Sequence, residues 1–397
     1  MTHGEHTRAV HTPAPPVPQQ QPIGLPVYRT ASFGFESADE YRDILNDSLQ
    51  GYSYSRIDNP TADAFAQGVA ALEGVGVGYQ VAGQPFASGM AAISTTLMAL
   101  TAAGDHVVCP RQVYGGTYGL LANLLSRFGV TTSFVDGSDL EAVRAAIRPE
   151  TKVLWGETLA NPTMSVADLP GLSEIAKDAG VTFVVDSTFA SPAICRPLEH
   201  GVDVVVHSAT KYIGGHSDVT GGVAVGRSDL IKRIRHHRAE LGGSLSPDDA
   251  FLLHRGLATL PLRMARHCAS AMTFAAALAD HAAVERVDYP GLPGHRDHGL
   301  AGKLFDVGRY GGVVTISPRG GREAGMAFCD RLQLARVATS LGGHKTMVSH
   351  VASTTHRQLD DAALAAAGIG PAAVRISIGL EDPEDLIADV VHALDSL

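Results

Sequence analysis

A chain of 397 residues, 45% hydrophobic and 18% charged, has the make-up of a globular protein with roughly two or three domains. Its formal charge of -10 argues against nucleic acid as a main partner, because phosphate contact needs a basic footprint. No apolar run reaches the length of a membrane span, the N-terminus lacks the apolar core of a secretory signal, and the dispersed Cys109, Cys195, Cys268 and Cys329 contain no C-x-x-C pair. The expectation is a reducing, cytoplasmic setting with no disulfide framework and no thiolate metal site.

Residues 1–26 are rich in Pro, Gln and His and lack periodicity, so they read as an extended arm. A short helix is predicted at 41–49. The loop GYSYSRIDNP follows, with Tyr52, Tyr54 and Arg56 together; such a trio can bind an anion, although turn chemistry alone also accounts for it. Pro60 and Thr61 mark a helix start, Phe65, Val69 and Leu72 share one face, and Gly74 ends the helix. Gly74, Gly76 and Gly78 mimic a dinucleotide fingerprint, but they follow a helix where the fingerprint must follow a strand, so GVGVG reads as a helix exit. Ser88 or Gly89 opens the next helix, which Gly104 should terminate; Ser88, Gly89 and Met90 would then place free amides at the positive end of a helix dipole, and a plain Ser cap is the simpler alternative.

From there strands and helices alternate. Strands are predicted at 106–109, 131–135, 152–157, 183–185, 204–206 and 221–225, with helices at 115–127, 139–147 and 169–179. The alternation argues for a mostly parallel sheet with helices on both faces. After about residue 230 the pattern changes to two long helical stretches, 231–241 and 250–280, then short elements that include strands at 312–317 and 374–378. That region reads as a smaller α+β C-terminal domain. The basic run IKRIRHHR is a solvated helix face, and no metal site is expected.

The stretch 181–220 carries the chemistry. Two apolar runs each end in polar residues, Asp186 after the first and His207, Ser208, Thr210 and Lys211 after the second, which is where an open α/β sheet presents its ligand crevice. A lysine in a loop of hydroxyls and glycines can form an imine with a carbonyl, although most loop lysines are merely solvated. Its partners supply the argument. Ser88, Gly89, Met90, Ser208 and Thr210 can hold a phosphate, Tyr114 can stack on a flat ring, and Asp186 can face a ring nitrogen. Together they describe a pyridoxal 5'-phosphate (PLP) site, in which an acid keeps the pyridine protonated. Arg375 lies inside an apolar strand, and an arginine pointing inward there needs an anion.

The pieces PVYRTASF, YSRIDNPT, ASGMAAI, VYGGTY, ANPT, VVDSTFASP, HSATKYIGGHSD, LSPDDAFLLHRGLATLPLRM, SHVASTTHRQ and VRISIGLED occur in that order. In them the chain resembles, from about Thr7 to its C-terminus, the Cys/Met-metabolism (trans-sulfuration) family of PLP-dependent enzymes. That family includes cystathionine γ-synthase and γ-lyase, methionine γ-lyase and O-acyl-homoserine sulfhydrylases. The resemblance implies an α/β fold of the fold-type I PLP-dependent transferase kind. It implies an N-terminal arm at 1–55 contacting a neighbouring subunit, a PLP-binding domain at 56–245 and an α+β domain at 246–397, assembled as a homodimer with shared sites or a homotetramer. Lys211 would be the Schiff-base lysine and proton shuttle, Asp186 the partner of the pyridinium nitrogen, and Tyr114 the stacking ring and general acid. Gly89, Met90, Ser208 and Thr210 would bind the phosphate, and Tyr54 and Arg56 would reach the phosphate in the neighbouring subunit. Asn161 would touch the cofactor and help orient Arg375, which would clamp the substrate carboxylate with help from backbone near Ser340. Lys345 and Thr355 would lie on the substrate side.

The implied chemistry is γ-elimination or γ-replacement on a sulfur-containing or homoserine-derived amino acid. The alternatives are β-elimination of the cystathionine β-lyase kind and a specialised γ-substitution in secondary metabolism. Departures from the pattern bear on the choice. Gly116 stands where methionine γ-lyases typically carry Cys. Lys345 and Ser349 stand where cystathionine-handling members tend to carry Glu, and Lys345 would repel the distal ammonium of cystathionine. Binding without catalysis and nicotinamide-dependent redox chemistry are weaker readings, disfavoured by the intact Lys211, Tyr114 and Arg375 and by the misplaced GVGVG.

Overall fold

A computed structural model describes residues 5–11, 20–354, 357, 362, 364 and 368–397. Two sheets organise them. The larger contains β1 (Val81–Phe86), β2 (His106–Pro110), β3 (Thr131–Val135), β4 (Thr151–Glu157), β5 (Thr182–Asp186), β6 (Val204–His207) and β7 (Gly222–Arg227) in the order β1-β7-β6-β5-β4-β2-β3. Strands β2 to β6 run parallel, whereas β7 runs antiparallel to both β6 and β1. The chain steps outward from β2 to β3 and then returns to the other side of β2 for β4, so strand order reverses there and a crevice opens at the carboxyl ends.

Both faces of this sheet are covered, which is why its strands read as unbroken apolar runs. Val185 and Val205 pack with Phe65 and Val69 of the Pro60–Glu73 helix on one face, and Val184, Val204 and Val206 pack with Ile93 and Leu97 of the Gly89–Leu100 helix on the other. The smaller sheet contains β8 (Val284–Asp288), β9 (Val313–Pro318), β10 (Arg336–Val337), β11 (Met347–His350) and β12 (Val374–Ser377) in the order β10-β11-β12-β9-β8. Val314, Ile316, Val374 and Ile376 bury one face of it against Phe274, Phe328 and Leu386. No helix among the described residues is long and apolar enough to cross a membrane.

Several expectations shift for local reasons. β1 escaped the sequence reading because Gly83 and Pro85 look like breakers; it lies at the sheet edge, where a missing N–H is tolerated. Asn59, not Thr61, caps the Pro60–Glu73 helix, its side chain accepting the Thr61 amide at 3.0 Å. The Thr61 hydroxyl instead accepts the Tyr28 amide at 3.0 Å and fastens the arm to the helix. The Gly89–Leu100 helix ends at Thr101, before Gly104. The stretch expected as one helix from 115 is a short α-helix, Gly115–Gly119, followed by π and 3-10 turns, Leu120–Leu124 and Leu125–Phe128. The 250–280 stretch divides at Thr259 into Pro247–Ala258 and Leu260–Leu278, Pro261 opening the second helix.

One buried side chain holds the turn after β6. Arg263 donates to the carbonyls of Tyr212 at 2.6 Å, Ile213 at 3.1 Å and Gly256 at 2.7 Å, and burial pulls its guanidinium down to about 10. Gly215, at φ +71°, has no Cβ that would run into this guanidinium. Arg263→Leu strands those carbonyls, and the expected loss is about 3 kcal/mol or more of stability. A lower urea midpoint at unchanged slope would show it; an unaltered midpoint contradicts the assignment.

Candidate active site

The carboxyl ends of β2, β4, β5 and β6 deliver side chains into one cavity of about 540 Å³, to which the loop 339–341 and Arg375 of β12 also contribute. Lys211 follows β6 in a turn closed by Gly214 N–H to Ala209 O at 2.8 Å and Gly215 N–H to Lys211 O at 2.7 Å. Its Nζ donates to Ser340 Oγ at 2.7 Å. Burial, with the Arg375 charge second, pulls the amine down to about 8. Ser340 has φ +77°, a left-handed conformation rare outside glycine. That geometry lets its hydroxyl accept from Lys211 while its carbonyl accepts Arg375 Nη2 at 2.7 Å.

Arg375 is 5% exposed. Its Nη1 donates to Asn161 Oδ1 at 3.4 Å, and its Nε has no partner among the described residues. Burial holds the guanidinium down at about 10. A buried cation with an unfilled donor position calls for an anion.

Asp186 ends β5, with its carboxylate accepting the Thr188 amide at 2.9 Å; burial nevertheless raises its pKa. Glu157, at the end of β4, lies in register beside Asp186 and also lines the cavity. Tyr114 stands at the start of the Gly115–Gly119 helix, its ring half exposed at the cavity wall. Its amide donates to Glu157 Oε1 at 2.7 Å. Gly116 lies against that ring, and a Cβ there would come within 2.6 Å of it and 2.9 Å of Met90 Sδ.

The same cavity is lined by a cradle. Gly89 and Met90 begin their helix with amides that have no intrahelical acceptor, and Ser208 lies against Gly89, where a Cβ would approach its side chain to 2.6 Å. Ser88 is outside the lining; its Oγ caps the helix by accepting the Ala91 amide at 3.1 Å. Thr210 is likewise turned to Gly221, donating to its carbonyl at 3.2 Å and accepting its amide at 3.0 Å.

Tyr54 and Arg56 sit elsewhere on the chain. Arg56 stacks over Tyr54 at 5.7 Å and donates to the Ala239 carbonyl, beside a second and larger cavity of about 1080 Å³. Lys345 is exposed and outside the lining, so its charge does not face the crevice within one chain. Thr355 falls outside the described residues. Sequence reading missed Glu157, which resembles the tail of an apolar strand, and Arg357, which lines the cavity. No group of three or more potential metal ligands gathers among the described residues.

The model of the family described as Cys/Met metabolism PLP-dependent enzyme matches residues 6–395. The L-methionine γ-lyase of Porphyromonas gingivalis is 41% identical over 403 residues, covering 100% of this chain and 98% of that protein. The cystathionine β-lyase of Coxiella burnetii is 39% identical, covering 98% and 97%. A crystal structure from Campylobacter jejuni, of a protein provisionally named an O-acetylhomoserine (thiol)-lyase, superposes with a TM-score of 0.91 at 33% identity, covering 99% of this chain and 100% of that one. It carries a pyridoxyl-lysine phosphate. The cofactor of the present chain is PLP, and its crevice fits the group. Lys211 offers an amine that loses its proton near neutrality, the Gly89–Ser208 contact leaves helix amides uncovered, and Asp186 supplies a buried acid.

In coenzyme-free protein, labelling of Lys211 by an amine-selective reagent should rise through about pH 8, because the ammonium below that pH is unreactive. Arg375→Gln removes the second cause and moves the rise to higher pH. Peptide mapping reads both; a Lys211 peptide that labels in step with exposed lysines refutes the account.

Proposed function

The chain belongs to the Cys/Met metabolism family of PLP-dependent enzymes, and on that premise we propose that it breaks or exchanges the bond at the γ carbon of a small sulfur-containing or homoserine-derived amino acid. The observation that carries the reading is the chain of hydrogen bonds Lys211–Ser340–Arg375–Asn161, which sets a neutralisable amine and a buried, incompletely satisfied guanidinium side by side in one cavity.

In this reading Lys211 would hold PLP, which when bound supplies an electron sink that makes protons near the substrate α carbon removable. Asp186 would pair with the ring nitrogen, and Gly89, Met90 and Ser208 would hold the phosphate. Arg375 grips the substrate carboxylate with its fork, held in plane by the Asn161 side chain and the Ser340 carbonyl. The Lys211 amine, near half-protonated just above neutral pH, removes and returns protons, with Ser340 Oγ fixing its resting direction. Tyr114 supplies the phenol to the departing γ substituent. Tyr54 and Arg56, remote from this cavity, serve the phosphate in a second copy of the chain, which makes the working unit a homodimer or a pair of such dimers.

A γ-lyase and a thiol-lyase acting on a homoserine ester share the same opening chemistry, and the names of two of the relatives fit that common part. β-Elimination is the second reading, favoured by the cystathionine β-lyase relative. Product analysis separates them: γ-cleavage of cystathionine or methionine releases 2-oxobutyrate, whereas β-cleavage of cystathionine releases pyruvate. We expect 2-oxobutyrate, or a thioether when an acyl-homoserine and a thiol are supplied; pyruvate alone overturns the γ assignment.

Two variants test the roles. Lys211→Ala should abolish borohydride-trappable coenzyme, and a persisting adduct removes Lys211 from its role. Arg375→Lys keeps the charge but loses the fork, so KM should rise on the order of 10–100-fold with a smaller change in kcat. An unaltered KM places the carboxylate elsewhere.

A further inference from the structure

We propose that Glu157 is a positioning residue of this crevice: it ties the Tyr114 main chain to the end of β4 and keeps a proton, so that Asp186 alone presents a full negative charge to the coenzyme. The proposal rests on the assignment of this cavity to PLP.

Geometry comes first. Glu157 and Asp186 are the last residues of adjacent parallel strands and stand opposite one another in the register. Strand alternation puts both on the same face, since Trp155 and Val184, two residues earlier, pack in the same apolar cluster. Both line the cavity. Glu157 is 8% exposed, and no ion pair among the described residues reaches it. The titratable groups around it are Asp186 on β5, the buried Cys109 on β2 and Tyr114 beyond β2, while Lys211, Arg357 and Arg375 face the shared cavity. Two adjacent carboxyls in a buried setting do not both ionise.

The neighbours decide which acid keeps the proton. Asp186 accepts the Thr188 amide and feels the favourable field of His207, which lies one residue beyond the pairing of Asp186 with Val206. Both favour its charged form. Among the described residues Glu157 has one hydrogen bond, from the Tyr114 amide, and a carboxylic acid accepts that bond through its carbonyl oxygen as well as a carboxylate does. Burial and the Asp186 charge push Glu157 well upward, consistent with the geometry. A bound pyridine nitrogen deepens the difference by drawing the charge to Asp186.

The same residue acts on Tyr114. The Gly115–Gly119 helix has no side-chain cap, and the Glu157 carboxyl is the only side chain among the described residues that holds the Tyr114 amide. The direction of the ring over the crevice therefore depends on a side chain from the neighbouring strand.

Infrared difference spectroscopy of the coenzyme-free protein, with Glu157→Gln as reference, tests the proton. We expect a protonated-carboxyl band at neutral pH that Glu157→Gln removes and that titrates at lower pH in Asp186→Asn. Absence of the band in wild type overturns the proposal. In the coenzyme-loaded protein, Glu157→Ala should weaken PLP retention about tenfold through loss of the Tyr114 tie, and Glu157→Gln should restore it. The visible absorbance titration should move by less than about half a unit in Glu157→Gln, because a neutral amide replaces a neutral acid. A shift of about one unit or more means that a charge was removed and refutes the proposal. Failure of the underlying PLP assignment looks different: wild type itself would show no visible band, whatever the infrared result.

Discussion

A guanidinium buried where two sheets meet is the constraint on which the rest of the crevice depends. Arg375 is committed at Nη2 to a carbonyl and at Nη1 to an amide oxygen, and its Nε has no partner among the described residues. Removing such a charge from water without a counter-ion is very unfavourable. The site therefore has a polarity before any substrate arrives, with an anion-seeking end at β12 and an acidic floor at β4 and β5. Lys211 lies between them. Burial and the Arg375 charge lower its amine, while burial raises Asp186 and Glu157. Opposite shifts within one cavity set an amine that gives up its proton more readily beside acids that ionise less readily.

The fold supports this arrangement at its joints. Lys211 belongs to the large sheet and Arg375 to the small one, and Ser340 bridges them with its hydroxyl to one and its carbonyl to the other. The left-handed backbone of Ser340 permits both contacts. Nearby, Gly342 at φ +74° packs so close to the Tyr212 amide that a Cβ would lie at 2.8 Å. Loop 339–342 and the Lys211 turn are thus pressed together by absent side chains, and Arg263 grips the same turn from the opposite side.

Much of this was legible in the sequence because the chemistry follows the strands. Asp186 stands directly after one apolar run, Ser208 and Lys211 in the loop after another, and Tyr114 in the loop after a third, so reading those unbroken runs as buried parallel strands leads to the crevice. Glu157 was not legible. In LWGETLA it looks like the polar tail of a strand, and its meaning comes from Asp186, 29 residues away in sequence but adjacent in the sheet. The resemblance alone places Lys345 on the substrate side; it is exposed and outside the cavity lining, the chain bending at Gly342 and Gly343 before it. Ser88 reads as part of a helix N-terminus with a plain Ser cap as the simpler alternative, and its hydroxyl makes that cap; the Thr210 hydroxyl, expected at the phosphate, bonds to Gly221. Tyr54 and Arg56 lie outside the cavity lining of their own chain, and their proposed role requires a second copy.

The proposed reaction sets a requirement that this architecture meets in a specific way. Cleavage at a γ carbon needs a base that works at the α carbon and then at the β carbon, so its tip must move while its root does not. The root of Lys211 is held by the Gly215 amide on its carbonyl and by Arg263 on the two residues that follow. Its tip has one hydrogen bond among the described residues, to a hydroxyl that can rotate and accept from more than one direction. Tyr114 has the complementary design, with a main chain anchored to Glu157 and a ring half exposed beside Gly116, which contributes no side chain to wedge it. On the proposed roles, two proton carriers with fixed backbones and mobile tips, facing one anchored carboxylate site, suit a reaction that moves along a substrate one carbon at a time better than one that acts at a single atom.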